Sequence, residues 1–455
     1  MLQTLRNAFK VPEIRKKLLF VLMILVLYRI GAVMPVPFVN SALMNASLNA
    51  QLGEGSIFGY LNALSGGAFG QATLFALSVS PYITASIVLQ LLDVAFPKWF
   101  GGKDGNTDPQ EKQKKMTVWT RIVTVALAIM TSYGYYNIMR SYESQGYKIL
   151  TDDGKSTLGM IVIMVCYCAG AAIIMWLAEK IEEKGIGNGI SLILMANILA
   201  SLAGKINSFI SFITTGFSSG VGYGILNTAL TILSLAITLA IVVFMIWITG
   251  SERRIPIKYA KRVVGRKMYG GQSSYLPLKV NMSGVMPVIF ASSIISLPAT
   301  VIALVPGWSS SAAGTFIRGM FSPTGSWWSL FYMALLFLLI LGFSYFYITI
   351  SFDPVEVSNN LQKQGGQIPG IRQGTPTAEY IKKILSKVTL MGAFFLSFIA
   401  IFPDLVSWAV GMLGGTFPSL AFGGTSLLIV IGVVQETARE IEAQLTMRNY
   451  KGFLN

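Results

Sequence analysis

The sequence predicts an all-α polytopic membrane protein with ten transmembrane helices, and three observations lead there. Of its 455 residues, 53% are apolar and 12% charged, against roughly 45–50% and about 25% in a soluble globular domain. Ten long apolar segments with almost no charge recur along the chain; at about 20 residues each they would occupy roughly 200 positions and leave the rest for loops. Lysine and arginine crowd onto alternate connections. Short basic loops resist translocation and stay cytoplasmic, so the crowding records an orientation.

The spans run over 18–36, 74–92, 118–138, 158–178, 188–204, 226–249, 284–305, 328–350, 388–404 and 419–436. A cytoplasmic N-terminus places 1–17, 93–121, 179–187, 250–283, 351–387 and 437–455 inside, where they hold 29 of the 35 basic residues. The outer segments, 37–73, 139–157, 205–225, 306–327 and 405–418, hold five. Both termini are therefore expected in the cytoplasm. The net charge of +15 mostly reflects this topology, and anionic lipid headgroups are its natural partner. It does not imply DNA binding.

Residues 1–17 form an amphipathic N-terminus, with Leu2, Leu5 and Phe9 at helical spacing beside Arg6 and Lys10, the pattern of a short helix on the inner headgroups. Arg29 inside the following apolar stretch, and the absence of a small-residue cleavage site, argue for a retained first helix rather than a cleaved signal. Arg29 reads as an anchor that snorkels outward, with a role in a pore as the alternative.

The chain has no histidine, which removes histidine bases, catalytic triads and most zinc or haem chemistry. Cys166 and Cys168 lie two apart in an apolar run, where a helix points them to different faces rather than toward one metal. No Walker-type phosphate loop is present. No cofactor and no catalytic residue are expected.

Residues 55–73 are uncharged and too rich in glycine and polar residues to span. Two readings stay open: a short helix folded back into the protein from outside, or one lying on the outer surface. In the second span Pro81 invites a kink, while Val79 and Ile83 share a face. The fifth span opens on Gly187-Asn188-Gly189 and repeats the spacing with Leu194 and Ile198. Periodicity alone assigns these pairs to packing or lipid contact.

Two cytoplasmic loops stand out. Segment 251–282 carries eight basic residues, among them Arg253, Arg254, Lys258, Lys261 and Arg262, against Glu252 alone, and is longer than a plain connection needs. Segment 351–380 contains a turn-rich stretch, Gly365 to Arg372, expected to form a compact projecting loop. Arg372 at its tip is suited to a partner's carboxylates or phosphates.

Five stretches carry a resemblance: LSGGAFGQATLFALSVSPYITASIVLQLL (64–92), GIGNGISLI (185–193), LPLKVNMSGVMPVIFASSIISLPATVI (276–302), NNLQKQGGQIPGIRQGTPT (359–377) and FGGTSLLIVIGVVQE (422–436). In this order they resemble the SecY family of protein-translocation channel subunits. The resemblance implies two pseudo-symmetric five-helix halves, 18–204 and 226–436, joined by an outer hinge loop at 205–225 and followed by a cytoplasmic tail, 437–455. It implies a re-entrant plug at about 56–70, including Ile57, Phe58, Tyr60, Leu61 and Leu64. The family's pore ring carries over to Val79, Ile83, Leu194, Ile198, Ile289 and Ile429, and its lateral gate, between spans 2 and 3 and spans 7 and 8, to Thr84, Ser86, Gln90, Ser292 and Ser293.

The same resemblance implies passage of unfolded secretory chains, and sideways release of membrane-protein helices, at the bacterial plasma membrane. The ribosome or the SecA ATPase would supply energy by docking on Arg253, Arg254, Lys258, Lys261, Arg262 and Arg372. SecE and SecG would be companion subunits. The chain departs from the family at GGKDGNTDPQEKQKKMTVWTR (101–121), where docking contacts are not carried over, and at Ser274-Tyr275, which replace a more usual threonine and histidine. The competing readings are a solute transporter with discontinuous helices at Gly187-Asn188-Gly189 and Pro81, and a non-conducting scaffold that recruits ribosomes. Scarce intramembrane acids and the long basic loop favour the channel.

Overall fold

The computed structural model describes residues 6, 8–51, 62, 65–96, 109–143, 148–259, 262–264, 267–269, 273–304, 311–321, 328–412 and 423–451. All ten expected spans coincide with helices: α1 (Pro12–Gly31), α3 (Ser80–Ala95), α4 (Pro109–Glu143), α5 (Thr157–Lys184), α6 (Gly189–Ser219), α7 (Val221–Gly250), α8 (Met286–Leu304), α10 (Trp328–Ser351), α12 (Thr375–Met412) and α13 (Gly424–Lys451). Shorter helices α2 (Ser41–Gln51), α9 (Ala312–Met320) and α11 (Pro354–Lys363) lie in the connections. Among the described residues six helices are long and apolar enough to cross a membrane. Of the rest, α1 carries charge in its first turns and α13 in its C-terminal half, and α3 and the apolar part of α8 are short.

Several boundaries differ from expectation. The second span begins at Ser80, not at 74, and Pro81 sits in its first turn, where the missing N–H costs no helical hydrogen bond and no kink results. The fifth span continues through Ser219. The outer loop expected at 205–225 is reduced to Gly220, whose φ of 140° only glycine adopts readily. Serine and threonine lower the hydropathy of this stretch without breaking its helix. Ser208, Ser211, Thr215 and Ser218 return their hydroxyls to carbonyls three or four residues back. The tail expected from 437 continues α13 to Lys451.

The helices form two halves, α1 to α6 and α7 to α13. They meet where α6 packs on α7 and α13, and again where α8 packs on α3 and α4. A central apolar core takes residues from both halves, including Ile24, Ile174 and Leu177 from the first and Leu336, Ile340 and Leu427 from the second. A second core, within the first half, packs Phe69, Tyr135, Tyr136, Tyr142 and Tyr167 together.

The two basic loops join in one sheet. Strand β1 (Glu252–Tyr259) pairs antiparallel with β4 (Ser273–Lys279), in register from Glu252 with Lys279 to Lys258 with Ser273. The hairpin tip adds β2 (Arg262–Val264) and β3 (Lys267–Tyr269). The short strand β5 (Gly366–Gln367), from the other loop, pairs with the free edge of β1. Beneath the sheet Ile255, Ile257 and Leu278 pack on Leu361, Ile368 and Ile381. Alternation along β1 produces this, since Ile255 and Ile257 point inward while Arg254 and Lys258 point to solvent.

Candidate functional site

The six candidate ring residues come from four helices: Val79, the N-cap of α3, and Ile83 in its first turn; Leu194 and Ile198 on α6; Ile289 on α8; Ile429 on α13. Each is between 1% and 5% exposed, and all six belong to the central core. None faces lipid. The helices that carry them form a circuit, α3 against α8, α8 against α13 and α13 against α6. It is closed between α6 and α3 by Asn197 Nδ2, which donates to Ser78 Oγ at 3.3 Å. At Gly432 an added Cβ would lie 2.1 Å from Val285 Cγ2, so this glycine lets α13 and the approach to α8 meet closely.

Ahead of α3, residues 65–79 are irregular and mostly buried. Backbone without helix or sheet is tolerated at membrane depth only where protein satisfies its polar groups, and here named groups do so. Leu74 N donates to Met34 O at 2.9 Å, and Phe69 N to Ser65 Oγ at 2.9 Å. The Tyr135 hydroxyl donates to Phe69 O, and the Tyr167 hydroxyl to Ala72 O at 3.4 Å. Gly170 admits the segment, because an added Cβ would sit 2.1 Å from Leu74 O. Helix α3 alone is only about 24 Å long against a hydrocarbon core of about 30 Å, so this segment supplies the remaining depth. The candidate plug residues Ile57, Phe58, Tyr60, Leu61 and Leu64 lie outside the described residues.

The candidate gate residues lie on α3 and α8, the helices that touch across the seam between halves. Ser86, Gln90, Ser292 and Ser293 bond within their own helix. Ser292 and Ser293 return hydrogen bonds to Val288 O and Ile289 O, each at 2.8 Å, and Gln90 Nε2 donates to Ser86 Oγ within α3 at 3.1 Å. Ile87 and Ile295, in the central core, supply apolar contact instead.

Arg29 is corrected by the structure. Its Nη1 does not snorkel outward; it is buried and would lie 2.9 Å from a Cβ placed on Gly66. The adjacent Tyr28 ring stacks on Phe75 with centroids 5.3 Å apart. Asn197, fully buried one residue from Ile198, was the polar position that span periodicity passed over; an asparagine inside an apolar helix is its only sequence signal.

In the loop sheet Arg253, Arg254 and Lys258 are exposed on β1, and Arg262 lies on β2 opposite Tyr269. Lys261 lies outside the described residues. Arg254 Nε donates to Glu252 Oε1 at 2.7 Å, and its guanidinium lies 4.8 Å from the centroid of the Tyr275 ring. The bound carboxylate raises the guanidinium's proton affinity above its ordinary value. The ring explains a tyrosine at 275, since an aromatic face attracts a guanidinium. Arg372 is exposed in a braced turn: Thr377 Oγ1 donates to its carbonyl at 2.7 Å, and Gln373 Nε2 to Gly366 O at 3.1 Å.

Comparison with known proteins decides the family. The SecY family model matches residues 73–438. A protein translocase subunit SecY of Streptomyces scabiei is 41% identical over 464 aligned residues, with 100% of both chains covered. The chain belongs to the SecY family. A SecY subunit of Mycobacterium tuberculosis (strain ATCC 25618 / H37Rv) is 40% identical over 467 residues, again across 100% of both. Among solved structures, one described as a protein conducting channel superposes with a TM-score of 0.64 at 18% identity, over 94% of this chain and 91% of that one. Sec61 in the canine ribosome-channel complex gives 0.61 at 17% identity, over 94% and 91%. The fold shared with these structures is that of a multi-pass membrane protein.

Proposed function

We propose that this SecY family chain is the conducting subunit of a protein-translocation channel. It passes unfolded secretory polypeptides across the bacterial plasma membrane and releases transmembrane helices sideways into the bilayer. One observation carries the reading: six aliphatic side chains, from four helices of both halves, are buried in one core where the halves meet. Aliphatic groups offer no hydrogen bonds, so they can fit around a passing chain of any sequence without holding it, and a narrow hydrophobic constriction excludes ions by dewetting. Sequence-indifferent passage and an ion seal follow from the same side chains.

The seam where α8 meets α3 and α4 is the lateral gate, with Thr84, Ser86, Gln90, Ser292 and Ser293 near it. Because Gln90, Ser292 and Ser293 donate within their own helices, opening the seam breaks apolar packing and strands none of these three donors. A passing segment then partitions by its own hydrophobicity. Residues 56–70 plug the outer side. The cytoplasmic sheet receives the ribosome or SecA, which supply the energy; SecE and SecG complete the complex, and anionic lipids hold the basic inner face. Both termini are cytoplasmic, in line with the distribution of lysine and arginine.

Photocrosslinkers placed at Ile83 and Ile289 test the reading. A stalled secretory chain should form adducts at both positions. Intact ribosome binding with no adduct to the chain would instead indicate a scaffold.

A further inference from the structure

Two basic residues fall within the ten predicted spans: Arg121, near the start of the third, pairs with Glu179, and Arg29 lies deeper in the first. It lies in the last turn of α1, where the carbonyl end of the helix dipole favours a cation. Its Nη1 is buried and donates no hydrogen bond among the described residues. Gly66 and Asn197 wall it in. A Cβ on Gly66 would meet Arg29 Nη1 at 2.9 Å and the Asn197 Cα and carbonyl oxygen at 3.0 Å each. Asn197 precedes Ile198, and consecutive Cα atoms are about 3.8 Å apart, so Nη1 lies within about 10 Å of the Ile198 Cα.

A permanent charge is costly to hold away from water without a counter-charge, and a guanidinium stays protonated at any accessible pH. The fold nonetheless keeps this one beside the constriction. We propose that Arg29 sets the ion selectivity of the pore: its field opposes cations at the constriction and favours anions, so the leak that escapes the aliphatic seal discriminates against potassium and protons. At about 10 Å and an effective dielectric near 20, one charge changes the energy of a permeating ion enough for a cation-to-anion effect of about tenfold or more. The inference rests on the pore reading above. It assigns a specificity-determining role to a residue outside the ring.

The test uses the full-length chain with the subunits that copurify with it, reconstituted in planar bilayers. An Ile83→Ser background widens the ring to give measurable current, and reversal potentials in a KCl gradient report the chloride-to-potassium ratio. Arg29→Gln should lower that ratio about tenfold, whereas Arg29→Lys, which keeps the charge on a different shape, should retain it. Asn197→Asp places a carboxylate beside the intact Arg29 and should lower the ratio as Arg29→Gln does, so the test stands even if the glutamine variant fails to fold. An unchanged ratio in the neutralised channels, or equal losses in the glutamine and lysine variants, would overturn the proposal. No current from the widened ring in any variant would overturn the pore reading, and this inference with it.

Discussion

Lys258 and Gln367 are paired neighbours in an antiparallel ladder, although one belongs to the loop after α7 and the other to the loop before α12. The two loops are therefore one rigid platform on a shared apolar underside of Ile255, Ile257, Ile368 and Ile381. A load applied at the β1–β4 hairpin passes directly to the base of α12.

The first prediction follows from that pairing. Facing residues in an antiparallel ladder have Cα atoms about 4.5–5.5 Å apart, within the range a disulfide bridges. The double variant Lys258→Cys with Gln367→Cys should oxidise to an intramolecular crosslink, read by loss of maleimide labelling. Free thiols under oxidising conditions would show that the platform does not exist.

A second prediction separates docking from stability. Arg372 is exposed and, among the described residues, makes no ion pair. Replacement by alanine should leave thermal unfolding within about 0.5 kcal/mol of the parent while weakening the binding of a purified motor or ribosome. By contrast, Tyr275→Leu removes the ring under Arg254 and should cost about 0.5–1 kcal/mol, with docking less affected. Calorimetry and a sedimentation binding assay distinguish the two.

The irregular segment before α3 yields a third. In Tyr135→Phe the carbonyl of Phe69 loses its donor in a buried site, and a stranded buried acceptor costs about 1–3 kcal/mol. Unfolding should shift by that amount with the helices otherwise intact. A null effect would mean that another group replaces the hydroxyl.

Ring truncation should have two readouts that move together. Ile198→Ala removes a side chain 1% exposed, and burying that void costs about 2–5 kcal/mol. The same void shortens the barrier to ions, so resting leak measured by halide flux into proteoliposomes should rise. Loss of stability with unchanged leak would assign Ile198 to packing alone.

Much of the architecture was legible in the chain. Ten apolar segments became ten helices, since hydrocarbon admits little else for a backbone that must satisfy its own polar groups. Where hydropathy failed, it failed for local reasons: hydroxyls bonded to their own helix concealed the continuation from 205 to 219, and 74–79 are apolar without being helical. The ring positions needed more than periodicity, because any bundle helix presents apolar residues four apart.

By itself the sequence determined the class and the number of spans, both properties that depend on composition summed over a window. Only the tertiary structure decided that Ile198 and Ile429 share one core, that Gln367 extends the sheet begun by Glu252, and that Arg29 points inward. Those are relations between distant segments, set by which surfaces pack together, and no local pattern encodes them.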